Sequence, residues 1–440
     1  MRAKAGFGCA FCLACTRSCT KIRYKKDREQ TLTEKTIMLI SNPAHPVWAM
    51  AFRPFYLLAA LFGAVAIVLW GFGYPGHAAM PGFIWHAHEM IWGYAGAVVV
   101  GFLLTAVATW TGQPPTRGGI LMLLAALWLL ARASAFFAAG IWVAGISGTV
   151  FYLLAAACFA RPVLASGNQR NFIAVAALLL LGITHAAFHW QLAQGNAAAV
   201  RPALWAGLVM VAGFIGLIGM RVIPFFTAKR LGIAQAAISK PIMLSALLLP
   251  MLMTLNLLLW PQNLWLFAAA GVASGLINAW QLCRWWHSGV KTEPLLWVLF
   301  IGFGACALGL IALGMGVPFG KLTSLGIHLI AVGGIGLLTL GMMARTALGH
   351  TGRPMRLVPP LPLAFWLMVA AALLRALAAL FAAGLHTSLL HADWSLAMTQ
   401  TTVYSGLTHA SALAFAASLL LFAWRYAPWL LRPRTDGKAG

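Results

Sequence analysis

Polar side chains that bind metals or move protons are rare in this chain, and several sit where apolar residues are expected. The stretch "WHAHEMIWGY", Trp85 to Tyr94, places His86, His88 and Glu89 at the head of an apolar run. The stretch "THAAFHW" places His185 and His189 four residues apart in another run, and His328 and His409 stand singly in two more. Imidazole suits iron and copper, and two histidines at i,i+4 share a helix face and can hold one metal ion. His86 and Glu89, at i,i+3, also share a face, whereas His88 points elsewhere with Trp85 and Trp92 at helical spacing. Two ligand directions imply two cofactors. Glu89 is the only acidic residue clearly inside an apolar run, so it either orients a ligating histidine or carries protons. His409 reads more simply as a hydrogen-bonding residue, with the weakest claim as a ligand.

Two arginines belong with this set. Arg132 and Arg375 fall in apolar runs almost devoid of carboxylates. The forked guanidinium matches a carboxylate such as a haem propionate; the alternative is that both snorkel to the membrane surface.

The elements that must position these groups are transmembrane helices. The 440 residues are 62% hydrophobic and only 8% charged, against roughly 25% charged in a soluble chain. Apolar runs of bilayer-spanning length predict an all-α polytopic membrane protein. Its twelve spans are expected near 55–73, 86–109, 119–138, 141–160, 171–192, 202–225, 241–260, 264–283, 294–315, 323–345, 361–383 and 400–424. With both termini in the cytoplasm, the inner loops, the inner end of the tenth span (Arg345) and the C-terminal tail hold fifteen Lys or Arg and the outer loops two, Arg201 and Lys321. That asymmetry follows the positive-inside rule. It explains the net charge of +23 by topology and contact with anionic lipid, without nucleic acid. In this orientation every histidine within a span lies in the outer half of the membrane, and intramembrane polar groups are commonly functional.

A shift of 240 residues lays the second span on the tenth: His88 on His328, Gly93, Gly96 and Gly101 on Gly333, Gly336 and Gly341, and Thr111, Gly112 and Pro114 on Thr351, Gly352 and Pro354. A shift of 120 puts Gly213 and Gly216 on the same register. Three four-helix units of about 120 residues follow. The repeat makes His88 and His328 equivalents, so they are the expected axial pair of a haem, with Arg132 and Arg375 for its propionates. His86, His185 and His189 then remain for copper or a second haem.

Residues 1–37 are a different kind of sequence, a basic polar extension ahead of the twelve-helix domain of 38–440. Cys9, Cys12, Cys15 and Cys19 follow the spacing of a ferredoxin cluster loop, but no proline or second cysteine set follows. The simpler reading is a dispensable extension, with Met38 an alternative start.

From about Pro43 onward the chain resembles the NnrS family. The resemblance rests on "HPVWAMAFRPF", "WHAHEMIWGYAGAVVVGFLLTAVATWTGQPP", "RVIPFFT", "EPLLWV", "GGIGLLTLGMMARTALGHTGRP" and "RYAPWLLRPRTDGKAG", in order. It implies a bacterial inner-membrane protein holding haem and copper, linked to denitrification and to resistance against nitric oxide and nitrosative stress. Relatives carry a histidine after "LLWV" where this chain has Leu299 or Phe300. The span count and repeat also resemble the catalytic subunit of haem–copper oxidases. The resemblance thus points to nitric oxide as ligand. The alternatives are a nitric-oxide-reductase-like or oxidase-like oxidoreductase fed by a quinol or redox protein, and a transporter.

Overall fold

The computed structural model describes residues 40–383 and 397–438; the cysteine motif of residues 9–19 lies outside them. Twelve helices make up the fold of the described residues. They are α1 (Phe52–Gly71), α2 (Gly82–Thr111), α3 (Gly119–Ser134), α4 (Ile141–Ala165), α5 (Phe172–Ala193), α6 (Ala197–Leu231), α7 (Lys240–Leu259), α8 (Leu264–Trp285), α9 (Pro294–Phe319), α10 (Thr323–His350), α11 (Leu361–Ala382) and α12 (Ala397–Leu430). The sole sheet among the described residues is a two-residue antiparallel pair before α2. Backbone groups in a bilayer must be satisfied within the chain, and helices do so without partners.

Among the described residues eleven helices are long and apolar enough to cross a membrane, which makes this a multi-pass membrane protein. The exception is α3. The third span, expected over 119–138, stops at Ser134, giving 16 residues, about 24 Å at helical rise and short of a ~30 Å hydrocarbon core. A tight turn at Gly140, where a Cβ would meet the Ser134 carbonyl, carries the chain directly into α4. The opposite difference occurs at α6, which runs 35 residues through Pro202 and Pro224.

Successive helices pack side by side and α12 returns against α1, closing a ring. Helices α2 and α6 are the most enclosed, with 78% and 83% of their apolar stretches buried. They meet α10 at the centre: Trp92 lies on Gly207, where a Cβ would meet the indole, and Tyr94 Oη and Thr339 Oγ1 are hydrogen-bonded at 2.6 Å. The inner helices are therefore the second of each group of four.

The repeat is visible in backbone geometry. In α2 the hydrogen bonding switches to the wider π pattern over Glu89–Ala95, and in α10 over Leu329–Gly336. These segments begin 240 residues apart, each just after the matched histidine. Thr111 Oγ1 donates to Val107 O at 2.7 Å and Thr351 Oγ1 to Ala347 O at 2.6 Å. Gly112 and Gly232 cap α2 and α6, and Gly352, at the same interval of 120, follows the Thr351 cap of α10; their φ are 70°, 68° and 74°. This left-handed conformation is one that glycine adopts without strain.

Candidate metal and cofactor sites

A π turn leaves carbonyls without their usual helical partners and occurs often at functional sites. In α2 two such carbonyls are taken up from outside. Tyr152 Oη on α4 donates to Trp92 O at 2.6 Å, and Trp128 Nε1 on α3 donates to Gly93 O at 3.0 Å. These bonds fasten the segment to α3 and α4, with His88 and Glu89 at its N-terminal edge.

There three imidazoles converge. His88 Nε2 lies 3.3 Å from His185 Nε2 and 3.0 Å from His189 Nε2. All three residues are buried, and each offers a ligand atom within 4.8 Å of the others. A tetrahedral ion with bonds of about 2.0–2.1 Å needs ligand nitrogens roughly 3.3–3.4 Å apart. The spacing fits, so the cluster is able to bind a metal ion. Room for it comes from α4: a Cβ on Gly148 would lie 2.5 Å from His185 Cε1, and one on Gly145 2.9 Å from His189 Cγ.

Two of the three outer nitrogens are held as metal-binding imidazoles usually are, whereas His189 Nδ1 has no hydrogen-bond partner among the described residues. His88 Nδ1 lies 2.8 Å from Glu89 Oε1, and His185 Nδ1 lies 3.0 Å from Thr149 Oγ1. Glu89 Oε2 accepts from Arg132 Nη1 at 2.6 Å, with both groups buried. A carboxylate paired with arginine accepts hydrogen bonds only, so His88 Nδ1 donates and its Nε2 presents a lone pair to the other two rings.

A second site lies across α2. A cavity of about 740 Å³ is lined by His86, His328, Arg375, Arg201, Trp70 and Thr408, among others. Its volume is in the range of small-molecule and cofactor sites. His86 stacks on Trp70 at 4.1 Å between ring centres. His328 Nδ1 donates to Ser324 O at 2.7 Å, which leaves Nε2 as its basic nitrogen. Among the described residues, three polar atoms in this wall are buried without a hydrogen bond: His86 Nδ1, Arg375 Nη1 and Thr408 Oγ1.

The structure thus divides the histidines differently from the sequence expectation. His88, expected opposite His328, faces His185 and His189; His86, expected with that pair, shares the cavity with His328. Glu89 bonds His88 and not His86, because Arg132 on α3 draws the carboxylate to that side while His86 faces α1. Arg132, expected to await a propionate or to snorkel, has Glu89 as its anion. Arg375 lines the cavity, its Nη2 3.5 Å from Tyr404 Oη. His409 stacks on Phe72 at 4.9 Å and lines neither site. Leu299 and Phe300 are buried in apolar packing.

Sequence reasoning missed Thr149, Gly145, Gly148 and the two donors to the π carbonyls. The i,i+3 glycine pair on α4 was the one available signal. It also missed Arg201, counted only as an outer-loop charge.

No match was found among curated proteins. The family model described as NnrS protein matches residues 46–434, nearly the whole described region and both histidine sites. The chain belongs to the NnrS family.

Proposed function

We propose that the chain is an inner-membrane metalloprotein of nitric oxide metabolism or nitrosative-stress resistance, with copper in the three-histidine cluster and haem in the cavity. The observation that carries this reading is the pair of histidine sites on opposite sides of one turn of α2. One is closed and spaced for an ion; the other borders a cavity of about 740 Å³, room for a larger group. Copper suits three neutral imidazoles. Haem suits the cavity because His86 and His328 approach it from different helices, and Arg375 and Arg201 supply cations for propionates. Bound there, haem iron would supply direct binding of nitric oxide, an apolar gas that partitions into lipid.

The residues of this chain then have distinct tasks. Glu89 and Arg132 hold the His88 ring in one orientation and tautomer. Trp92 and Phe188 pack beside it, with ring centres 5.3 Å and 5.0 Å away, and keep water from the cluster. Trp70 fixes the plane of His86. With the 16-residue α3 crossing as a short span, the positive-inside asymmetry supports both termini in the cytoplasm, which puts both sites in the outer half of the membrane. The polar groups lie off the midplane, where transporter sites usually lie, so the transporter reading is the weaker one. Turnover by a quinol or redox-protein donor remains a second reading, supported by Glu89 as an internal carboxylate.

The test is an absorption spectrum of the detergent-purified protein, with and without dithionite and nitric oxide, together with copper analysis. A reduced Soret band that shifts with nitric oxide, and about one copper per chain, is expected. Folded protein without haem or copper would overturn the proposal.

A further inference from the structure

The second four-helix unit carries a polar feature that neither histidine site uses. Ser274, Asn278, Gln281 and Trp285 recur at i, i+4, i+7 and i+11, which places them on one face of α8. That face is turned inward. The four residues are 0%, 1%, 0% and 4% exposed. Gly271 on the same face abuts Met253 of α7 and Gly314 of α9, while Trp285 lies 5.7 Å from Phe303, whose ring covers Gly219 of α6. The stripe therefore lies between α6, α7 and α9, away from lipid.

Each of these side chains has a buried polar atom with no hydrogen-bond partner among the described residues: Ser274 Oγ, Asn278 Oδ1, Gln281 Oε1 and Nε2, and Trp285 Nε1. One such group left unsatisfied costs about 1–3 kcal/mol, so five along one face are not sustained dry. The groups are neutral donors and acceptors with no charge among them, which fits water. Buried water typically serves groups of this kind.

We infer that this face of α8 lines a file of internal water that enters at the Arg284 end of the helix and stops at Ser274. The entrance follows from Trp285, the last residue of α8, next to the basic Arg284 and the loop bearing Lys291. The stop follows from packing: a Cβ on Gly271 would meet Met253 Cε at 3.0 Å, Gly314 Cα at 3.1 Å and Leu310 O at 3.2 Å, leaving no room for water. From Trp285 to Ser274 is about 16 Å at helical rise, roughly half the hydrocarbon thickness.

Single cysteines at Ser274, Asn278 and Gln281, in a chain whose native cysteines are replaced, test this with a small cationic methanethiosulfonate, which needs water to form the thiolate. A cysteine at Leu276, on the lipid-facing side of α8 at 56% exposure, is the dry control. Gln281→Cys and Asn278→Cys should react roughly tenfold faster than Leu276→Cys, and only when reagent is applied at the Arg284 face. Reaction no faster than Leu276→Cys overturns the file, and reaction from the opposite face overturns its direction. Radiolytic hydroxyl labelling of the unsubstituted protein avoids any folding defect. Trp285 should label several-fold faster than Trp128, equally buried but hydrogen-bonded to Gly93 O; equal labelling of the two contradicts the inference.

Discussion

The π segments of α2 and α10 share a register, a preceding histidine and a distant C-terminal Thr-Gly, yet their surroundings differ. In α2, Glu89 opens the segment and is tied to His88 and Arg132, and the histidine meets two others. In α10 the matched position is Leu329, and His328 is held by a backbone carbonyl beside an open cavity. One copy has become a closed cluster of fixed charge and imidazole, the other the wall of a cofactor-sized space. The backbone device sets where a histidine can stand. Neighbouring helices decide what it meets.

The contrast is broken most strongly by removing its charge. Glu89→Leu leaves a buried guanidinium without its anion, and breaking a buried pair costs about 3–5 kcal/mol. Arg375→Leu removes a group whose weak bond is worth about 1 kcal/mol. Thermal unfolding in detergent should therefore show a much larger fall for Glu89→Leu, and equal falls would mean the pair at Glu89 is not special. Next comes the space around the cluster. Gly148→Ala should force the His185 ring aside at about 1–3 kcal/mol and lower bound copper, while leaving haem in place. Loss of both together would show that the two sites are not separate.

Smaller effects sharpen the comparison. Tyr152→Phe removes one donor to the α2 π segment, at about 1 kcal/mol. Amide exchange should speed up near Trp92 and stay unchanged over Leu329–Gly336. The smallest effect concerns the loops after the two helices. The second loop is clasped by the C-terminal tail: Thr435 Oγ1 donates to Gly352 O and Arg434 Nη1 to His350 O at 3.1 Å, while Arg434 Nη2 is held within the tail by Asp436 Oδ2 at 2.6 Å. The Arg434 bonds hold the Asp436 carboxyl well below its usual range. Its contribution is therefore full at neutral pH and is lost only as pH falls through that depressed value. Asp436→Asn should loosen the tail to proteolysis at neutral pH and leave both sites loaded; a change in metal content would contradict this.

The helices, their order and the repeat were legible because hydropathy and matched residues at a shift of 240 report directly on spans. The three-fold repeat was clearer in glycine geometry than in residue identity, since Gly232 has no Thr-Gly-x-Pro around it. The site was legible only as a set of residues. His86, His88, His185, His189 and His328 were all found, but the partition among them depends on which helix lies beside α2. Sequence spacing says nothing about that. Nor does a hydropathy period reveal a π turn, so the sideways bond from Glu89 to His88 and the pairing with Arg132 were hidden. The short α3 was misjudged because apolar residues continue past Ser134 after the helix has ended.

The closed cluster and the open cavity are proposed as two separate sites. The most direct test is to measure copper and haem in parallel in purified His185→Ala and His328→Ala proteins. His185→Ala should lose copper and keep haem, and His328→Ala should lose haem and keep copper. Haem lost from His185→Ala and retained in His328→Ala would contradict this separation.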